Sequence, residues 1–120
     1  MAKNLEISIL LDFYGDMLTK KQREVVEFYY NEDLSLSEIA EHSGITRQGV
    51  RDSIKRAEVQ LLEFEERLGL AKKFKKIQDG LDFIISAAND IDIYNTKYTA
   101  APEIAKKCSL IINTAKELNE

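Results

Sequence analysis

Apolar side chains recur at intervals of three and four along most of this chain, the period of an amphipathic helix, and no stretch alternates in polarity long enough to suggest a sheet. The first such run, about Leu5 to Tyr14, aligns Leu10, Phe13, Tyr14 and Met17, with Gly15 and Asp16 weakening the pattern at its end. A second begins in "LTKKQREVVEFYY". Thr19 and Gln22 have capping-box spacing, in which a hydroxyl accepts from the third helical N–H and the amide reaches back to the cap. Val25, Val26 and Tyr29 give this helix its buried face. "NEDL" (31–34) reads as a turn, and Ser35 with Glu38 repeats the capping box at the head of a short third helix. Ser43-Gly44 ends it, because glycine accepts the left-handed conformation that closes a helix. Thr46 caps a fourth helix through its hydroxyl.

Beyond Thr46 no strong stop appears for a long distance. Val50, Ile54, Ala57, Leu61, Phe64, Leu68 and Ala71 form a 4-3-4-3 apolar seam, which then passes to Phe74, Ile77, Leu81, Ile84 and Ala88. The two consecutive steps of three, from 68 to 71 to 74, are a stammer, and with Gly69 beside them they predict a kink or short turn. Asn89 to Ala101 is the longest irregular candidate. Pro102 suits the first turn of a last helix, where a missing N–H costs little. That helix places Ile104, Ala105, Cys108, Ile111, Ile112 and Ala115 on one side. The expected fold class is therefore all-α. Residues 1–68 form a helix-turn-helix domain with an N-terminal helix and a long second motif helix. Residues 69–120 form a C-terminal helical extension packed on it as a single compact unit. A seam this long also outruns a small core, so a homodimer through Val50 to Leu68 is expected, alongside an intrachain role for the same residues.

Composition narrows the function classes. The chain has 120 residues, 44% hydrophobic and 32% charged, which is a globular balance. No apolar run approaches the ~20 residues that span a bilayer. The apolar opening is interrupted by Glu6 and Asp12 and lacks a signal peptide's uncharged core, so the expected compartment is the cytoplasm without membrane insertion. Cys108, the single cysteine, excludes an intrachain disulfide and falls on an apolar helical face, where it reads as a small core residue. His42 is the only histidine and has no second histidine or cysteine at ligand spacing. Neither a base–nucleophile pair nor a phosphate loop accompanies it. No enzyme activity, metal or cofactor is expected.

The stretch "SEIAEHSGITRQGVRDSIKRA" (37–57) carries the sharpest signal. A helix-turn-helix needs two helices crossing steeply. Ala40 is small where they approach, Gly44 supplies the turn, and Ile39, Ile45, Val50 and Ile54 are placed to pin the pair. The second helix then projects Arg47, Gln48 and Arg51, with Lys55 a turn further on, toward a major groove. Arg47, Arg51 and Lys55 recur every fourth residue and share a face. Arginine reads guanine bidentately and glutamine reads adenine. Thr46 and the helix start can hold a phosphate. From Thr46 to Arg56 four basic residues stand against Asp52 alone, although the whole chain is at −4. Base reading and a merely solvated helix face remain even alternatives for Arg47, Gln48 and Arg51.

The segment from Leu18 to about Leu68 resembles region 4 of bacterial sigma factors: an entry helix, a capped short helix, a glycine turn and a long second motif helix. The resemblance implies a −35-element type of DNA contact. One departure is visible: His42 and Ser43 stand where that region commonly carries apolar residues. Over its full length, and in "LLDFYGDMLTKKQREVVEFYYNEDLSLSEIAE" in particular, the chain resembles the YlxM-like family of small helix-turn-helix proteins of low-GC Gram-positive bacteria. This second resemblance implies a setting in the signal recognition particle pathway. The expected partners are nucleic acid, DNA ahead of RNA, and components of that particle. The alternative is a protein-binding accessory factor of the particle with no DNA role. Elsewhere the blander readings prevail. Lys72, Lys73, Lys75 and Lys76 balance Glu58, Glu63, Glu65 and Glu66 on a solvated surface rather than binding RNA. Tyr29 is core, while Tyr94 and Tyr98 are loop anchors rather than base-stacking platforms.

Overall fold

The computed structural model describes residues 3–120. They form α1 (Leu5–Tyr14), α2 (Lys20–Tyr30), α3 (Leu36–Ser43), α4 (Arg47–Leu68), α5 (Leu70–Tyr94) and α6 (Pro102–Leu118), with a 3₁₀ turn at Gly15–Met17 and a π turn at Asn95–Thr99. No described residue lies in a strand, so the fold is all-α, as the periodicity predicts. None of the described helices is long and apolar enough to cross a membrane. The chain separates into two compact units, Met1–Lys72 and Lys73–Glu120.

Local chemistry sets the helix boundaries in the first unit. The Thr19 hydroxyl accepts from the Gln22 N–H and the Gln22 amide oxygen accepts from the Thr19 N–H, both at 3.2 Å. Ser35 and Glu38 repeat this reciprocity at 3.1 Å. Each cap satisfies donors that a helix start leaves open and contributes about 1 kcal/mol. Gly44 at φ +67° closes α3, and its N–H reaches the Ala40 carbonyl at 3.0 Å. Gly69 at φ +61° closes α4 in the same way, so the stammer is resolved as a full helix end.

Two apolar clusters fill this unit. Ile7, Leu10, Leu11 and Tyr14 of α1 meet Leu18, Val26, Ala57 and Leu61. Val25 and Tyr29 of α2 meet Ile39, Val50 and Ile54. Helix α4 supplies both clusters, and its Val50, Ile54, Ala57 and Leu61 are each 0% exposed. Burial of an Ile or Leu side chain is worth about 1.5–3 kcal/mol, and spending it inside the chain leaves no surface for a partner. The expected dimer contact through these four residues is therefore corrected to intrachain core. The α1 face is also corrected. Met17 is half-exposed, because the 3₁₀ turn at Gly15 carries it out of register with Leu10 and Tyr14.

A polar node joins α1 to the break between α4 and α5. The buried Tyr14 hydroxyl donates to the Glu65 carboxylate at 2.6 Å and accepts the Leu70 N–H at 3.0 Å. Glu65 also accepts the N–H groups of Ala71 at 3.1 Å and Lys72 at 3.0 Å. The orphan donors at the start of α5 are thus met from α1 and α4. Burial pushes the Tyr14 phenol up, and the bond to Glu65 adds to this. The Tyr14 hydrogen bond holds the Glu65 carboxyl below its ordinary range. Tyr30 is pushed up to about 12 by burial and by donating to Glu58, so it stays a neutral donor.

The second unit is a helical hairpin. Helix α5 continues to Tyr94, which corrects the expectation of an irregular segment from Asn89. Only Ala100 and Ala101 lie outside helical turns there, with Ala100 at φ +49°. The buried Asn95 amide makes the reversal short: it donates to the Ala101 carbonyl at 2.9 Å and accepts the Ala101 N–H at 3.0 Å. Pro102 opens α6, as its missing N–H allows. Tyr94 and Tyr98 do not anchor the reversal. Their ring centroids lie 4.7 Å apart with the planes tilted by 44°, and both remain exposed.

Candidate nucleic-acid interface

The crossing of α3 and α4 is built from small and apolar residues. Ile39, Val50 and Ile54 are fully buried, with Ala40 and Ile45 half-buried against them. The Ala40 carbonyl accepts from both Gly44 and Ile45, which tightens the turn. Thr46 then starts α4, its hydroxyl oxygen accepting the Gly49 N–H at 2.9 Å. A Cβ on residue 49 would lie 3.2 Å from that oxygen, so glycine keeps the cap uncrowded. The Thr46 hydroxyl retains its own proton and can still donate to a phosphate.

Four of the five candidate contacts follow from there. Arg47 and Gln48 are exposed in the first turn of α4, Arg51 is half-buried a turn later, and Lys55 is exposed a turn beyond that. Arg47, Gln48 and Arg51 together line one shallow depression. At 100° per residue the four side chains span about a quarter of the helix circumference. Gln48 is not idle: its amide donates to Asp52 at 2.9 Å. Reading a base through Gln48 means sharing or giving up that bond. Helix α3 adds acidic groups rather than basic ones, with Glu38 and Glu41 exposed beside His42.

The departures at His42 and Ser43 have structural consequences. His42 lies outside the core with its ring 5.4 Å from that of Phe28. Ser43 is buried, and its hydroxyl oxygen has no hydrogen-bond partner among the described residues. An unmet hydroxyl of this kind costs about 1–3 kcal/mol. Two positioning contacts escape a reading of the sequence. Lys21 donates its ammonium to the Ser43 carbonyl at 2.5 Å, tying α2 to the end of α3. The Gln22 amide donates to Gln60 at 3.1 Å, tying α2 to α4. Both join residues more than twenty positions apart, beyond any local spacing rule.

Residues 1–100 match the model of the family described as "Putative helix-turn-helix protein, YlxM / p13 like", UPF0122. The chain belongs to this family. A UPF0122 protein of Clostridium kluyveri is 47% identical over 94 residues, 75% of this chain and 85% of that one. One from Acetivibrio thermocellus is 48% identical over 93 residues, covering 78% and 80%. One from Thermoanaerobacter pseudethanolicus is 46% identical over 115 residues, covering 96% and 95%. The UPF0122 match takes in the whole crossing of α3 and α4 and runs on through α5.

Proposed function

We infer that this UPF0122 protein is a nucleic-acid-binding regulator that sets the start of α4 into a major groove, with DNA as the ligand ahead of RNA. One observation carries the reading: Arg47, Gln48, Arg51 and Lys55 project as a single face from a helix start held by α3 and a glycine turn. In this reading Arg47 and Arg51 contact guanine edges, Gln48 an adenine edge, Thr46 a phosphate, and Lys55 the backbone. The first unit carries 14 acidic against 10 basic residues, an excess that repels phosphate away from this face and disfavours non-specific binding. Binding is therefore weak and strongly salt-dependent until the right sequence is supplied. The test is selection from random duplexes, repeated with structured RNA, at low and moderate salt. Enrichment of a duplex motif that the double variant Arg47→Ala/Arg51→Ala no longer binds is the expected result.

The same acidic balance, with Glu38 and Glu41 on the crossing helix, favours a second reading. There the protein is an accessory factor of the signal recognition particle and contacts protein rather than DNA. The particle setting is part of the proposal in either case and rests on what the sequence resemblance implies. If neither pool enriches and the double variant behaves as wild type, the second reading replaces the first. Recovery of particle components from cells with the intact chain then identifies the partner.

A further inference from the structure

The hairpin of the second unit has almost no core of its own. Its buried apolar side chains are Ala88, Cys108 and Ala115, all small. A segment of 48 residues with so little burial does not reach independent stability without a partner. Apart from Phe83, Ile93 and Leu110, which are exposed elsewhere on the two helices, six of its exposed large apolar residues recur at heptad spacing as one stripe on each helix. On α5 these are Ile77, Ile84 and Ile91, spaced by seven, and on α6 they are Ile104, Ile111 and Leu118, spaced by seven again. All six are exposed, from 39% at Ile104 to 67% at Leu118. Ile84 and Ile111 line the same groove between the two helices and mark the middle layer of the antiparallel hairpin, whose far end is tied by the Asn119 amide donating to Asp82 at 2.9 Å. Ile84, Ile111 and Leu118 flank one apolar groove floored by Leu81 and Ala115.

We propose that this face binds the same face of a second copy of the chain, closing an antiparallel four-helix bundle about a dyad through the Ile84–Ile111 layer. Three features choose a second copy over another occupant. The stripe is self-complementary, since a dyad at Ile84 carries Ile77 onto the partner's Ile91 and Ile104 onto the partner's Leu118. The charges also match only in that sense. The unit is neutral, seven basic residues against seven acidic. Within α5, however, Lys73, Lys75 and Lys76 precede Gln78, and Asp79, Asp82, Asp90 and Asp92 follow it. That polarity opposes the helix macrodipole, which favours acidic residues early and basic ones late. An antiparallel copy brings its aspartate end to the lysine end and offsets both the side-chain charges and the dipole. On α6 and the residues just after it, Glu103, Lys106 and Lys107 at one end and Lys116, Glu117 and Glu120 at the other offset only one charge each way. Finally, α5 from Lys73 to Tyr94 is about 33 Å long, and two helices side by side are about 20 Å wide. Such a face is of the order of the ~800 Å² per partner that a stable dimer buries.

This inference is independent of nucleic-acid binding and is tested without it. Sedimentation of the full chain at about 50 μM, in the working range where a modest dimer is populated, is expected to give a dimer. Ile84→Lys is expected to raise the dimer dissociation constant at least 100-fold. Because that variant also risks unfolding the hairpin, a surface charge swap runs beside it. Lys73→Glu/Lys76→Glu is expected to weaken the dimer about 10-fold with helicity unchanged, and adding Asp90→Lys/Asp92→Lys is expected to restore it. In a Cys108→Ala background, Ile84→Cys is expected to cross-link under mild oxidation while Ser86→Cys, 200° round the helix, does not. A wild-type monomer overturns the proposal. So does a dimer in which Ser86→Cys cross-links as readily as Ile84→Cys, or one whose charge swap is not rescued.

Discussion

Arg51 differs from Arg47, Gln48 and Lys55 in being half-buried, so its side chain has less freedom left to lose. Pre-ordering of this kind lowers the entropy lost on meeting a base. Arg51→Ala is therefore expected to cost about 1–3 kcal/mol against the selected duplex, and Arg51→Lys nearly as much, because an ammonium cannot make the bidentate contact. Lys55→Ala is expected to weaken all sequences alike and to flatten the salt slope by about one. Anisotropy titrations at several salt concentrations separate these outcomes, and equal losses on random and selected duplex would deny Arg51 a reading role. Glu65 provides a second residue-level expectation. Its folded pKa lies below the unfolded value, since Tyr14 and two backbone N–H groups favour the carboxylate. Its contribution to stability is thus fully present above the unfolded pKa, ordinarily about 4.3, and is lost as pH falls through the lower folded value. Glu65→Gln is expected to be less stable at neutral pH and to show a shallower loss of stability below about pH 4.3. Urea midpoints at pH 7, 5 and 3 measure both; a variant as acid-sensitive as wild type would remove Glu65 from the account.

Helix α3 is eight residues long and too short to hold itself, so it exists through its capping box, its glycine end and its packing on α4. Ala40 sits where the two helices cross, half-buried against Ile39, Val50 and Ile54. Ala40→Leu adds three heavy atoms at that approach and is expected to cost about 1–3 kcal/mol. An unchanged melting temperature would contradict the close crossing. What was legible in the sequence follows the same division between local and distant causes. The Thr19–Gln22, Ser35–Glu38 and Thr46 caps and the Gly44 and Gly69 ends each depend on residues within a turn, and each stands where its spacing puts it. Lys21 on Ser43 and Tyr14 on Glu65 join residues 22 and 51 positions apart, and no periodicity encodes such a meeting. The segment from Asn89 reads as irregular because Asn, Asp and Thr are turn formers. Asn95 does serve the turn, but by bonding Ala101 from inside a helical segment, so the reversal contracts to a few residues. For the candidate contacts, the common face of Arg47, Arg51 and Lys55 follows from their spacing alone. The partial burial of Arg51 follows from packing that the spacing does not contain.

The two units differ in how they satisfy the same requirement. In Met1–Lys72, α4 lends its apolar seam to α1, α2 and α3, and both clusters are complete within the unit. In Lys73–Glu120 the fully buried apolar side chains are all small, and six of the larger, exposed ones make up the face assigned to a second copy. The charge follows the same split, with the excess of four acidic residues lying entirely in the first unit. A fragment ending at residue 78 keeps the Tyr14–Glu65 node and the first turns of α5. It is expected to fold cooperatively as a monomer, because every residue of both clusters lies within it. Its affinity for a single half-site duplex is expected to be unchanged, since Arg47, Gln48, Arg51 and Lys55 all remain. Its affinity for a duplex with two half-sites is expected to fall about 10- to 100-fold relative to the full chain, through loss of the effective concentration that a dimer supplies. Thermal melts with sedimentation establish the first expectation, and titrations against one-site and two-site duplexes the second. An unfolded fragment would show that the first unit's core depends on the hairpin. An undiminished two-site affinity would show that the hairpin adds nothing to recognition, even where it dimerises.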